Sequence, residues 1–309
     1  MPVRPRVGVG EAPNERTEGE FLEFQRMTWH RSRATGPIFH EDAIRRTGAM
    51  NDRDLTRRTF VKQSLAAVGP AMVAANALPV VSAPAEAGAA RMTVVCVGAH
   101  PDDPESGCGG TLARYAALGH AVTVVYLTRG ERGISGKSLD EAAKIRSAEC
   151  ETACKIIGAK PVFFGQIDGA TEVTHAQVDA MRRLLAAANP DVVFTHWPVD
   201  THMDHQVASV LTIRAWMGEG LRTARLYFFE VNSGSQTEGF LPNTYVDISS
   251  VVEQKKAALF AHVSQDGQGI WRQHHEIMAQ WRGREVGVPA AEAFVHLNRD
   301  NHTSNLPGL

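Results

Sequence analysis

Two short stretches of the chain gather groups that can hold a metal ion and move a proton. They are Ala99-His100-Pro101-Asp102-Asp103-Pro104-Glu105 and His202-Met203-Asp204-His205. His100, Asp103 and His205 offer two imidazoles and one carboxylate. Three protein ligands with an open fourth position suit a catalytic zinc site rather than a structural one. A water in that position would have its pKa lowered to about 7. Asp102, next to a ligand, is placed to accept the water's proton. His202, three residues before His205, is placed to hydrogen-bond or donate to the oxyanion that forms. Asp200 and Asp204 are carboxylates able to orient ligand histidines. The chemistry these groups add up to is metal-assisted hydrolysis of an acyl bond. Fe(II) and Co(II) tolerate the same N/O ligand set as Zn(II). Plainer readings stand beside this one. Asp102 and Asp103 could cap the following helix. A His-x-x-His pair is often only a polar pair on a surface or in a core. His196 could simply shape its loop. His274, His275, His296 and His302 read as ordinary surface histidines.

The elements around these stretches alternate. Continuous apolar runs at 93–99, 121–127, 161–164, 191–195 and 225–231 read as buried parallel strands. Helices are expected over 109–118, 139–157, 175–188 and 206–217, with Gly119, Gly158 and Asn189-Pro190 as stops. A further strand over 244–248 and a helix over 250–262 follow. Residues 267–309 read as less regular. Alternation of this kind implies an α/β fold: a Rossmann-like, doubly wound, mainly parallel sheet in three layers. In strand order 3-2-1-4-5 the first and fourth strands are neighbours at the switch point, where ligands bind beyond the strand C-termini. His100 and Asp103 follow the first strand; His196, His202 and His205 follow the fourth. The topology therefore predicts that the two stretches meet in one crevice. Gly107, Gly109 and Gly110 do not match G-x-G-x-x-G, so a dinucleotide site gains little support.

The chain has 309 residues and a formal net charge of −2. Residues 1–49 are polar and aperiodic. They read as an extension or as sequence upstream of a start at Met50. Residues 50–90 read as a twin-arginine signal peptide: Thr56-Arg57-Arg58-Thr59-Phe60-Val61-Lys62, an Ala-rich run from Ser64 to Val81, then small-residue cleavage sites near Ala85 and Ala89. The alternative is an amphipathic N-terminal helix. Gly69, Pro70 and Asn76 make the run a poor permanent membrane span. Residues 91–309 form the expected single catalytic domain and hold 20 Lys+Arg against 24 Asp+Glu. That balance gives no electrostatic case for nucleic acid. The expected destination is periplasmic or extracellular, with the Tat machinery as a partner. The four cysteines form no disulfide framework. Cys150 and Cys154 are i,i+4 on a helix, too far apart to pair. Few disulfides suit a protein exported folded, with its metal already loaded.

Taken together, the two stretches resemble the PIG-L/LmbE family of zinc-dependent N-acetylglucosaminyl de-N-acetylases. The family's A-H-P-D-D opening with a nearby Glu appears at 99–105. Its H-P-D-H appears at 202–205 with Met203 in place of Pro. The resemblance runs from about Thr93 to about Val295, including Arg146, Gly283-Arg284-Glu285-Val286-Gly287-Val288 and Ala291-Glu292-Ala293-Phe294. It implies an LmbE-like fold and removal of acetyl from an N-acetylglucosamine unit. It implies His100, Asp103 and His205 as ligands and Asp102 as general base. His202 would stabilise the oxyanion or protonate the leaving amine, and Arg146 would meet the substrate. The expected partner is a small-molecule or oligosaccharide substrate bearing N-acetyl; homo-oligomerisation is left open. The other readings are a zinc amidase or esterase on another acyl group, and a glycan-binding protein of the same fold without turnover.

Overall fold

The computed structural model describes residues 90–218, 221 and 223–297. The proposed extension, the twin-arginine segment and His302 lie outside the described residues. Seven strands form one sheet in the order β3-β2-β1-β4-β5-β7-β6. They are β1 Thr93–Gly98, β2 Ala121–Tyr126, β3 Lys160–Phe163, β4 Val192–His196, β5 Arg225–Phe229, β6 Thr244–Asp247 and β7 Ala291–His296. The first five are parallel in the expected 3-2-1-4-5 order, and β7 runs antiparallel to both β5 and β6.

Alternation along β1 feeds two cores. Val94 and Cys96 join one, with residues of α1 (Asp103–Ala117), α2 (Leu139–Ile157) and α5 (Val252–Phe260). Val95 and Val97 join the other, with α3 (His175–Ala188) and α4 (Met203–Trp216). A strand buried on both faces must be apolar wherever it is buried, and β1 is so from Val94 to Gly98. The fold is α/β with helices on both sides of the sheet, as expected.

Two expectations need correction. Helix α1 begins at Asp103, not Gly109. Pro104 suits a first turn that has no use for its N–H, and Glu105 Oε2 accepts from the Asp102 N–H at 3.2 Å, half of a capping box. The glycines follow inside the helix, where they let it approach the sheet. The region after Gly267 is also more regular than expected. It holds a short helix α6 (Gly267–Ile270), a π turn (Trp271–His275), α7 (Glu276–Val286) and β7. Its short elements and the mid-strand Glu292 carry little periodicity. Cys96, Cys108, Cys150 and Cys154 are all free and buried.

Candidate active site

The loop after β1 and the N-terminus of α4 meet beyond adjacent strand ends. The ring centroids of His100 and His202 lie 4.7 Å apart, those of His202 and His205 4.7 Å, and those of His100 and His205 5.4 Å. Asp103 joins the two stretches: one oxygen lies 3.1 Å from His100 Nδ1, the other 3.3 Å from His205 Nε2. The two imidazole nitrogens thus converge on one carboxylate, as they would around a shared cation.

The remaining nitrogens are held from behind. His100 Nε2 contacts Asp204 at 3.0 Å and Asp168 at 3.3 Å. His205 Nδ1 lies 3.1 Å from Asp200. Asp200 also accepts from the His202 N–H at 2.8 Å and from the Thr237 hydroxyl at 3.0 Å. Asp204 accepts from Gly169 N–H and the Thr171 hydroxyl. Carboxylates behind ligand imidazoles fix ring orientation and tautomer.

Burial opposes charge on His205, but the Asp103 and Asp200 carboxylates outweigh it and hold the imidazolium up to about 9. Burial likewise opposes charge on His100, and Asp103, Asp168 and Asp204 still raise it well above the usual range. Asp103 also works against its own burial: the neighbouring imidazoles hold it well below the carboxylate range. A divalent cation would replace the two imidazole protons and sit against the same carboxylate. Three donor sets have ligand atoms all within 4.8 Å of one another: His100, His202 and His205; Asp103, His196 and His205; His100, Asp168 and Asp204. Imidazole nitrogen with carboxylate oxygen suits zinc and its neighbours in the first transition row.

His196 is the weakest donor among these. Its Nε2 accepts the Ala99 N–H at 3.0 Å, and burial followed by the His205 charge pushes it down to about 4. It pins the end of β1 as a neutral ring. His202 caps α4: its Nδ1 accepts from the Asp204 N–H at 3.2 Å. In the neutral ring the proton therefore sits on Nε2. Burial, then the His100 and His205 charges, lower its pKa. His202 is thus a neutral N–H donor on the cavity wall.

Asp102 adopts φ +115°, an unfavourable conformation for a residue with a Cβ. Arg146 holds it there. One guanidinium nitrogen donates to Pro101 O at 2.5 Å and lies 3.2 Å from Asp102 Oδ2. Burial raises Asp102 against the pull of Arg146, to about 6. Arg146 itself is only 3% exposed and packs against Gly130 and Gly133, where an added Cβ would collide with its guanidinium. Expected at the substrate, Arg146 lines the same cavity as Asp102 and is paired there with it.

These groups line a cavity of about 390 Å³ with Arg132, Asn232, Gln236, Gln265 and Ile270 on its other walls. Asp168, Arg132 and Gln265 were not singled out by the sequence, because the first two lie on loops and the third on a short 3-10 turn (Val263–Gln265), none within a motif, and only the fold brings them here. Glu105 is wholly buried and accepts from the Tyr126 hydroxyl at 2.5 Å, with His262 Nε2 at 3.4 Å. His275 is a correction: it is buried, its Nε2 without a partner, rather than on the surface. His274 and His296 are half-buried.

The family model described as "PIG-L: GlcNAc-PI de-N-acetylase" matches residues 95–216, which span both stretches. The diacetylchitobiose deacetylase of Thermococcus kodakarensis is 31% identical over 222 residues, covering 65% of this chain and 81% of that protein. The chain belongs to the PIG-L family. The 4-oxalmesaconate hydratase of Pseudomonas putida is 29% identical over 228 residues, covering 67% of this chain and 87% of that protein. Among solved structures, a conserved protein of Thermus thermophilus superposes with a TM-score of 0.60 at 32% identity, over 68% of this chain and 97% of that one. PIG-L membership accounts for the α/β sheet and for the placing of both histidine-bearing stretches at its switch point.

Proposed function

We propose that this PIG-L protein is an exported, metal-dependent hydrolase that removes the N-acetyl group from an N-acetylglucosamine-type sugar or glycoconjugate. The observation that carries the reading is Asp102. It is a half-buried carboxylate whose pKa burial raises to about 6, set beside His100, Asp103 and His205 on a cavity wall. The similarity to the Thermococcus kodakarensis diacetylchitobiose deacetylase supports an amide of an amino sugar as the bond cleaved. Zn2+, or Fe2+ or Co2+, held by His100, Asp103 and His205 would supply a Lewis acid and an acidified water. Asp102 takes the proton from water as its oxygen bonds to the acyl carbon. The Nε2–H of His202 donates to the acyl oxygen as it gains charge. The C–N bond then breaks, the proton passes to the amine nitrogen, and acetate and a free amine leave. Arg146 keeps Asp102 aimed throughout.

The test is acetate release by the full chain, loaded in turn with each metal, from N-acetylated amino sugars and short chitin oligomers. Asp102→Ala should lose about 10²- to 10⁴-fold in rate while keeping its metal. An unchanged rate removes Asp102 as the base. The hydratase relative supports one second reading, addition of water to an unsaturated acid, and acetate release from an amide decides against it. A zinc amidase or esterase would show release from another acyl group, and a glycan-binding protein would show binding without turnover.

Export by the twin-arginine route is supported by Arg57-Arg58 ahead of the Ala-rich run. Arg57→Lys with Arg58→Lys should trap the full-length chain in the cytoplasm. Unaltered secretion of that variant would exclude the route.

A further inference from the structure

Each acid lining the cavity faces an opposite charge. Asp102 faces Arg146, Asp103 faces His100 and His205, and Asp168 faces His100. Arg132 is different. Its side chain is exposed on the cavity wall, and no ion-pair partner faces it among the described residues.

The turn that presents Arg132 is tied down on several sides. The buried Glu131 carboxylate accepts from the Arg129 and Asp168 N–H groups, at 3.2 and 3.1 Å. The Arg132 N–H donates to Asp168 Oδ2 at 3.0 Å, so the turn is bound to the carboxylate behind His100. Gln265 Nε2 donates to Gly133 O at 3.1 Å from the other side. The Arg132 stem lies over Gly169, where a Cβ would come within 3.1 Å of its Cδ. A fixed backbone thus delivers an unpaired guanidinium to the mouth of the cavity. Across the same cavity Gln236 offers its amide; its Oε1 is taken by Asn232, which leaves the NH2 end for a ligand. A divalent cation on the donor set would turn the lining net positive.

We propose that Arg132 is a specificity-determining residue that pairs with an anionic oxyacid group carried by the substrate beside its N-acetyl. This rests on the deacetylase reading and narrows its substrate class to acidic N-acetylhexosamines. The group is a carboxylate or a phosphate; a guanidinium fork matches the oxygens of either. Among the described residues the Arg132 side chain makes no ion pair with His100, Asp103 or His205, so its contribution is uniform binding, read in KM rather than kcat.

The experiment compares kcat and KM for the metal-loaded full chain on N-acetylglucosamine, its 1-phosphate and 6-phosphate, N-acetylmuramic acid and chitobiose. Expected is a preference for at least one acidic sugar of about tenfold or more in kcat/KM, the size of one charge-assisted hydrogen bond. Arg132→Gln should abolish that preference by raising KM, Arg132→Lys should keep most of it, and about 0.5 M salt should weaken it. The phosphates and the muramic acid separate the two sources of charge. Equal use of acidic and neutral sugars by the wild type overturns the proposal, as does a preference that survives Arg132→Gln. Calorimetric binding of the same sugars separates this from failure of the parent reading. Tighter binding of acidic sugars without acetate release leaves Arg132 standing and removes the deacetylase. Acetate release without acid preference does the reverse.

Discussion

Asp102 combines a strained backbone with a raised proton affinity, and it is the proposed base. Its φ of +115° persists because Glu105 accepts from its N–H and Arg146 grips the carbonyl before it. Burial lifts the carboxyl to about 6 from an ordinary value near 4. A base works only when deprotonated, so activity should rise with pH through this value and level off above it. A cation on the neighbouring ligands can only lower it. The acid limb of kcat/KM is therefore expected at or below about pH 6, and a limb near 7 or above would assign the base elsewhere. Asp204 makes the complementary prediction. Its Oδ2 contacts His100 Nε2 at 3.0 Å and accepts from the Gly169 N–H, while its Oδ1 accepts from the Thr171 hydroxyl. Asp204→Asn should weaken metal binding by about 10- to 100-fold in a chelator competition, with the fold retained. Most of these residues were readable from two motifs, because metal ligation and proton transfer demand particular side chains at particular spacings. Asp168 was not. It reaches His100 from a loop 68 positions away in sequence, and nothing local marks it.

Helix α1 is the element that sets the site, since Asp103 opens it. The expected start at Gly109 falls six residues late, and Gly107, inside the observed helix, permits close packing. A Cβ on Gly107 would lie 2.5 Å from Phe229 Cδ2 and 2.9 Å from the Glu230 carbonyl oxygen. The second of these is backbone and cannot rotate away. Gly109, two residues on, has nothing nearer than 3.6 Å. Gly107→Ala should cost about 1–3 kcal/mol in denaturant unfolding and, by pushing α1 off β5, lower activity as well. Gly109→Ala should be neutral or stabilise by about 0.5–1 kcal/mol, because it relieves the helix of a glycine without a clash. Equal losses in the two variants would mean that propensity, not the approach of α1 to the sheet, governs this helix. The parallel strands, by contrast, were legible because burial on both faces leaves uninterrupted apolar runs such as Val94–Val97.

Across the whole domain, the antiparallel edge joins the parallel strands through the β5–β7 ladder, and one buried carboxylate ties it to the helices packed on the sheet. Glu292 on β7 accepts from the Gly110 and Thr111 N–H groups of α1, at 2.8 and 2.7 Å, and from Lys255 of α5 at 2.6 Å. Lys255 and Glu292 are 2% and 4% exposed, so neither is solvated by water. A glutamate second in a six-residue strand does not look like a core residue, which is why β7 reads as part of a less regular segment although its neighbour β6 is expected. Its partners lie 37 and about 180 positions away, and only the closed sheet brings them together. Such a pair adds little by existing, because desolvation offsets its attraction, but removing one member strands the other charge inside the protein. Glu292→Ala is thus expected to cost about 3–5 kcal/mol in denaturant unfolding. Glu253→Ala, which breaks the exposed pair with Lys256 on the same helix, should cost less than about 1 kcal/mol. Glu292→Gln tests the mechanism. Its single carbonyl oxygen can accept from only one of the two α1 N–H groups and leaves Lys255 without a counter-charge, so it should recover only part of the loss. Full recovery would mean that a single hydrogen bond to α1, rather than the ion pair, is enough to hold β7 against the helices.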